Sequence, residues 1–351
     1  MTASLVTGGS GYFGSLLVKR LLDAGHHVRI LDINHHLDAQ HSALGDVEFL
    51  PGDIRDADVV ARAVRDIDCV FHNVAQVPLA RDRELLRTVN VDGTRILLDA
   101  CRRNNVAKVV HTSSSAIFGV PLANPVMPDT PARPMEAYGE AKWQAELLCR
   151  EAVAQGLDVS IVRPRTIMGH GRLGIFGILF DWIADGADPF VLGSGDNRYQ
   201  FVHAEDLAEI CRLAGDQAGP AIFNAGTDRF GTMREVLENL CQYADTGSRV
   251  RSLPTKPASL AMKMAASARI APFAPYHWLM YSKSMWFDVE PARVTLNWQP
   301  RWSNDEMFAQ SYDWFLENRL RADDATASHH RRSAKQGALG IVKKATRFLP
   351  R

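Results

Sequence analysis

The chain has 351 residues, 46% of them hydrophobic, with Lys+Arg 40 balanced against Asp+Glu 40 and only five cysteines. That length and apolar content bury a sizeable core in one large or two closely joined domains, and the balanced charge excludes a general nucleic-acid binder. Without C-x-x-C or finger spacing, and with no uncharged run of the roughly 18 residues a membrane span needs, the sequence predicts a cytosolic body, reduced core cysteines and no metal centre.

Ala3 to Val6 reads as a short strand. Thr7-Gly8-Gly9-Ser10-Gly11-Tyr12-Phe13-Gly14 follows, then helical spacing through Leu16, Leu17, Leu21 and Leu22 that Gly25 stops. Glycines at 8, 11 and 14, between a strand and a helix, let the backbone turn tightly and approach a pyrophosphate whose charge the helix N-terminus favours. Asp32 ends the next apolar run, Val28 to Leu31. A carboxylate there accepts hydrogen bonds from the adenosine ribose hydroxyls and repels a phosphate; Ile33, Asn34, His35 and His36 follow it, with no Arg or Lys, which favours NAD over NADP. After the third run, Val47 to Leu50, Asp53-Ile54 reads either as a bracket for the adenine or as an ordinary loop. Further short apolar runs lie at Cys69 to Val74, Val106 to Thr112 and Val159 to Val162, with helical stretches between them. Strands buried on both faces have this composition, so about 165 residues read as an α/β, doubly wound parallel sheet with ligands at the carboxyl ends of its strands.

Ser113-Ser114-Ser115 closes the fifth run, and Tyr138 and Lys142 share one face of a downstream helix. Hydride leaves a carbinol carbon only as its hydroxyl proton goes to a base, and a phenol with a pKa of about 10 is a poor base unaided. A lysine ammonium and a cationic nicotinamide nearby lower that pKa. Tyr138 and Lys142 therefore read as an acid/base pair, with the serines holding the substrate oxygen.

Beyond Pro164 the alternation breaks. Ile175 to Ile183 is an apolar helix, Phe201 to Ile210 and Ala221 to Ala225 read as returns to the sheet, and the remainder is helical and aromatic. A Rossmann-like unit over 1–165, with returns near 201–225, is thus joined to a smaller, discontinuous, mainly helical substrate domain over 166–200 and 226–320. Pro254 to Pro275 reads as a mobile cap. The tail, 321–351, is polar and basic and ends in an amphipathic stretch: Ala338, Ile341, Val342, Ala345, Phe348 and Leu349 on one face, Lys343, Lys344 and Arg347 on the other. It suits an anionic membrane surface, a partner subunit, or simply solvent.

The motifs as a set resemble the extended short-chain dehydrogenase/reductase superfamily, the NAD-dependent epimerase/dehydratase group, from residue 2 to about 319. Beside the glycine turn and Asp32 stand Gly52-Asp53-Ile54, Asn73-Val74-Ala75, Asn90-Val91-Asp92-Gly93-Thr94, Thr112-Ser113-Ser114, Tyr138-Gly139-Glu140-Ala141-Lys142, Arg163-Pro164 and Phe201-Val202-His203, in the family's order. The resemblance implies a Rossmann fold and bound NAD. It makes Ser114 the catalytic hydroxyl, four residues before Phe118 of Phe118-Gly119, Tyr138 the general acid/base, and Lys142 its tuner and the holder of the nicotinamide ribose. It also assigns to the cofactor Gly8, Gly11, Tyr12, Phe13 and Gly14 of the turn, Asp32, Asp53 and Ile54 on the adenosine side, and Asn73, Val74, Ala75, Asn90 and Arg163. Relatives often form homodimers through the helices that hold residues 90–104 and 138–155.

Departures from the family narrow the reaction. The 4,6-dehydratases resembled here carry Asp-Glu after the catalytic hydroxyl, where this chain has Ser115-Ala116, so dehydration is not expected. Many nucleotide-sugar epimerases have a phosphate-gripping Arg where this chain has Tyr199, and an Asn where it has Arg165-Thr166-Ile167; Arg165, Arg172 or Arg198 remain as substitutes. The missing Arg is shared with the 3β-hydroxysteroid and sterol dehydrogenase branch. Met262, Met264, Phe273, Tyr276, Trp278, Leu279, Met280, Tyr281, Trp286 and Phe287 form either a lid and core or a pocket for a lipophilic alcohol. The leading expectation is an NAD-dependent oxidoreductase for a secondary alcohol or ketone; the alternative is a nucleotide-sugar epimerase that recycles its NAD through a transient ketone.

Overall fold

Runs of Val, Ile, Leu and Phe without alternation leave no face for water, and seven of them pair edge to edge into one sheet. The structure is a computed structural model that describes residues 2–34, 47–76, 82–172, 174–268, 279–319, 339–340 and 343. The first six strands are β1 (Ala3–Thr7), β2 (His27–Asp32), β3 (Val47–Pro51), β4 (Cys69–His72), β5 (Lys108–Thr112) and β6 (Val159–Pro164). With β10 (Ala221–Ala225) they line up as β10-β6-β5-β4-β1-β2-β3, every pairing parallel. Strand order reverses between β1 and β4, which opens a crevice at the carboxyl edge.

Register decides what stands at that edge. Thr7 lies level with Leu31 on one side and His72 on the other, and His72 with His111. The next residue along each strand is Gly8, Asp32, Asn73 or Thr112, so groups far apart in sequence line one rim.

Alternate residues of each strand enter opposite layers. Val6, Ile30, Phe71 and Val110 join the cluster beneath helices Tyr12–Asp23 and Ala204–Asp216. Leu5, Leu31, Val70 and Val109 join the other, with Leu97, Cys101 and Cys149 from helices Gly93–Arg103 and Ala137–Ala154. All five cysteines are free and buried. The buried thiols of Cys101 and Cys211 are pushed up to about 12.

The expected return of Phe201 to Ile210 to the sheet is corrected in one respect. Phe201–His203 is strand β9, and it pairs with β7 (Thr166–Met168) in a separate two-stranded sheet. Ala204–Asp216 comes back to the main sheet as a helix against Tyr12–Asp23, because Leu207, Ala208, Ile210, Cys211 and Ala214 form a helical stripe. A second small sheet pairs β8 (Phe190–Leu192) with β11 (Arg251–Leu253). Phe176, Phe180, Phe201, Phe308 and Tyr312 pack edge to face between helices Phe176–Ala184 and Asn304–Asn318. Thr232 with Glu235 and Ser303 with Glu306 close reciprocal capping boxes on two of the helices of this part.

The region from Pro254 holds a helix, Thr255–Ser267, in which Ala266 alone is buried and Met264 is 63% exposed. Met280 and Phe287, by contrast, belong to the main core. Phe273, Tyr276 and Trp278 lie outside the described residues, as do the apolar positions of the tail. Of the tail, Leu339 packs against Ile178, Trp182 and Ala187, and Lys343 pairs with Asp181 and Asp185, which also hold Arg319. Among the described residues no helix is long and apolar enough to cross a membrane.

One buried ion pair ties the sheet to the helix of Tyr138. Arg163, 1% exposed, donates from Nε and Nη2 to Glu146 at 2.9 and 2.7 Å and from Nη1 to the Pro128 carbonyl at 2.7 Å, while Ser113 Oγ donates to Glu146 at 2.5 Å. Glu146→Ala leaves a buried guanidinium without its carboxylate. The expected loss is about 3–5 kcal/mol of unfolding free energy, measured by urea titration, and a loss below about 1 kcal/mol would show that the pair does not hold the layers together.

Candidate active site

Two glycines make the first turn possible. A Cβ on Gly14 would stand 2.0 Å from the Gly8 carbonyl oxygen, and one on Gly8 would stand 2.9 Å from Val74 Cα. Gly8 also has φ +71, a backbone region that costs glycine least. Gly11 N donates to the Gly8 carbonyl at 3.1 Å, and Gly11 itself is an N-cap with no side-chain bond, so the first N–H groups of helix Tyr12–Asp23 face the crevice. A cradle this tight fits a pyrophosphate resting on backbone.

Asp32 stands at the end of β2, 8% exposed, its carboxylate accepting from Ser10 N at 3.1 Å and Asn34 N at 3.0 Å. Burial raises its pKa, and those N–H groups oppose the rise. It thus holds the glycine turn against the end of β2. Asp53 is engaged by Arg55, which donates from Nη2 at 2.5 Å and holds the carboxyl below its ordinary pKa, and Ile54 is buried against Gly93.

The β4 edge is held by its neighbours. Asn73 N and Val74 N donate to Thr7 Oγ1, and Thr112 Oγ1 donates to Asn73 Oδ1. Ala75 and Gln76 follow, and Asn90, 2% exposed, pins Gln76 by accepting from its N–H at 2.8 Å and donating to its carbonyl at 3.1 Å. Asn90 therefore shapes the rim by fixing backbone. Arg163 has its side chain committed to Glu146 and Pro128, so it ties β6 to the helix of Tyr138, and among the described residues its side chain makes no hydrogen bond to the glycine turn.

Tyr138 is placed by the start of its helix. Glu136 caps that helix, accepting from Tyr138 N at 2.8 Å and Gly139 N at 2.6 Å. A Cβ on Gly139 would meet the Ala116 carbonyl at 2.5 Å, so the helix start presses directly on the turn Ser115–Phe118. Ser114 caps that turn, its Oγ accepting from Ala116 N at 3.2 Å. The half-buried Tyr138 and Ser114 thereby flank one contact. Lys142, one turn on, is 3% exposed and donates to the Thr112 carbonyl at 2.9 Å. Burial brings its ammonium down to about 8. Behind it lie the buried imidazoles of His72 and His111, which burial and the Lys142 charge both keep neutral.

Sequence reading missed the lid. Tyr12 Oη donates to the His170 carbonyl at 3.2 Å, so the loop before helix Phe176–Ala184 lies across the glycine turn. Arg172, in that loop, holds its guanidinium carbon 5.7 Å from the Tyr12 ring centroid. Burial lowers its pKa, and interaction with Tyr12 and with Tyr138 offsets part of that. The run Gly169-His170-Gly171-Arg172 was a visible signal, but only the fold says what it covers.

The chain is similar to several known proteins. A protein of Sinorhizobium fredii named uncharacterized protein y4nG is 46% identical over 99% of this chain and 87% of its own length. A 3 beta-hydroxysteroid dehydrogenase/Delta 5→4-isomerase of Mycobacterium tuberculosis is 30% identical over 92% of this chain and 95% of its own. Among solved structures, a UDP-glucose-4-epimerase from Stenotrophomonas maltophila, with bound NAD and formylated UDP-arabinopyranose, superposes with TM-score 0.74 at 22% identity, over 92% of this chain and all of that one. The model of the NAD dependent epimerase/dehydratase family matches residues 4–226. A match that begins in β1 and ends just past β10 takes in the whole sheet and every residue of the crevice, and the chain therefore belongs to the NAD dependent epimerase/dehydratase family.

Proposed function

We propose that this chain is an NAD-dependent oxidoreductase that interconverts a secondary alcohol and its ketone, with Ser114, Tyr138 and Lys142 as its catalytic residues. The observation that carries the reading is the buried Lys142 ammonium one helical turn from Tyr138, at the rim where the glycine turn and Asp32 also end. A buried cation is costly, and here it is kept beside a phenol that has to become a base.

The bound dinucleotide supplies the hydride acceptor, and in reverse the donor. The residues of the chain do the rest. The glycine turn and the N–H groups of helix Tyr12–Asp23 hold the pyrophosphate, and Asp32 accepts from the adenosine ribose. Ser114 Oγ orients the substrate oxygen, and Tyr138 Oη takes the hydroxyl proton as the carbon is oxidised. Lys142 stabilises the phenolate and donates to the nicotinamide ribose, while the Thr112 carbonyl fixes where its ammonium points.

An epimerase would use the same residues and recycle its NAD, and the likeness to the Stenotrophomonas enzyme supports that second reading. Against it stands Tyr199, where the epimerases resembled here carry their phosphate-gripping Arg: it is buried at 7% exposure, its hydroxyl 3.0 Å from Thr166 Oγ1. Incubation of the NAD-loaded protein with secondary alcohols separates the two. Net NADH is expected, whereas epimerisation of a nucleotide sugar without net reduction would reject the oxidoreductase.

Tyr138→Phe is expected to keep NAD affinity and lose turnover by about 100-fold or more, since only the transferable proton is removed; near-normal turnover would refute the assignment. Asp32→Ala is expected to weaken NAD far more than NADP in a fluorescence titration, and equal losses would overturn the cofactor preference. Lys142 titrates near 8 when folded and at the ordinary 10.5 when unfolded. Between those values the unfolded chain binds a proton that the folded one does not, so stability rises with pH across the window. Relative to Lys142→Met, the wild type is expected to gain on the order of 3 kcal/mol from pH 8 to 10.5 in urea melts. A pH-independent difference would show that the ammonium is not destabilised by burial.

A further inference from the structure

One buried group at the crevice rim takes no part in the chemistry proposed above. His72 ends β4, 2% exposed, level with Thr7 of β1 and His111 of β5. Both of its ring nitrogens are engaged: Nδ1 lies 2.8 Å from Thr7 Oγ1, and Nε2 lies 2.9 Å from Thr94 Oγ1 on helix Gly93–Arg103. Its ring also sits 5.2 Å from that of His111, centroid to centroid.

The threonines decide which nitrogen carries the hydrogen. Thr94 Oγ1 donates its single hydrogen to the Asn90 carbonyl at 2.7 Å, and a carbonyl only accepts, so toward His72 that hydroxyl can only accept. Nε2 therefore holds the hydrogen. Burial and the Lys142 ammonium lower the His72 pKa to about 3, so the imidazole is neutral and its bare Nδ1 accepts from the Thr7 hydroxyl. Thr7 Oγ1 accepts in turn from Asn73 N at 3.2 Å and Val74 N at 3.4 Å. One directed chain thus runs from the backbone of Asn73 and Val74, through Thr7, His72 and Thr94, to Asn90, whose side chain brackets the backbone of Gln76. Both ends of the segment 73–76 are anchored in it. A Cβ on Gly8 would stand 2.9 Å from Val74 Cα, so whatever holds this segment also holds the seat of the glycine turn.

We infer that His72 is a positioning residue of the dinucleotide site: as the Nε2–H tautomer between Thr7 and Thr94, it fixes the 73–76 rim against the glycine turn before the dinucleotide arrives. The inference rests on the dinucleotide site proposed above. A rim held in advance adds less ordering cost to binding, and leucine at this position, which can neither accept from Thr7 nor donate to Thr94, reinstates that cost. Asparagine places its amide oxygen as many bonds from Cα as Nδ1 is, so it restores the acceptor for Thr7.

Two measurements test it. In the nitrogen NMR spectrum of imidazole-labelled wild type at neutral pH, with the His72 signals assigned from their loss in His72→Asn, a protonated Nε2 and a bare Nδ1 are expected; the Nδ1–H tautomer or the imidazolium overturns the inference. Calorimetric titration with NAD is expected to show His72→Leu binding about tenfold or more weakly than wild type, with His72→Asn recovering most of that loss. Wild-type affinity in His72→Leu, or a loss in His72→Asn as large as in His72→Leu, overturns it. If His72→Leu melts abnormally, His72→Gln, which keeps a donor for Thr94 and removes the acceptor for Thr7, takes its place; it is expected to bind NAD more weakly than His72→Asn, and equal affinities overturn the inference. Failure of wild type to bind NAD would count instead against the dinucleotide site, whereas the tautomer reports on the hydrogen-bond chain whether or not NAD binds, so the two ideas fail separately.

Discussion

Everything in the crevice depends on how closely three pieces of backbone approach one another. Gly14 leaves no room for a Cβ above the Gly8 carbonyl, and Gly8 leaves almost none above Val74. Bare backbone at both contacts lets the end of β1, the start of helix Tyr12–Asp23 and the exit of β4 converge. Any side chain there would separate the helix N-terminus from the sheet edge. The seat of Asp32 under the turn and the position of Asn73 both follow from that approach.

The helix of Tyr138 solves a different problem, which is keeping charge inside protein. Arg163 and Glu146 neutralise each other through two hydrogen bonds, and Lys142 has a carbonyl for a partner and a destabilised ammonium. The first arrangement is structural, since a fully paired ion couple has nothing left to offer a substrate. The second holds its charge at a cost, since burial destabilises the ammonium. The two cations are 21 positions apart in sequence, yet the same helix serves both. Family membership adds that the chain is an enzyme acting on CH–OH groups.

The loop before helix Phe176–Ala184 is tied to the glycine turn. Tyr12 belongs to that turn and the His170 carbonyl to the loop, and their hydrogen bond sits beside the contact of Arg172 with the Tyr12 ring. Helix Phe176–Ala184, which follows the lid, receives the tail on its far side, where Asp181 and Asp185 hold both Arg319 and Lys343. Lys343, one of the three basic residues of the expected amphipathic stretch, is thus paired within the chain, while Lys344 and Arg347 lie outside the described residues.

Local chemistry determined much of this protein from sequence alone. Strand runs, the glycine turn, the carboxylate at the end of β2 and the i, i+4 pair of Tyr138 and Lys142 are legible because each depends on residues close together along the chain. Even Phe201 to Ile210 failed for a local reason, since a three-residue strand and a helical stripe read as one apolar run. Tertiary structure alone decided what each charge faces. The sequence shows Arg165, Arg172 and Arg198 as equals, and the fold gives them a hydroxyl with aromatic rings, the ring of Tyr12 and a pair of further aromatic rings. A guanidinium reaches several ångströms from its backbone, so its role is set by which distant segments the sheet register brings within that reach.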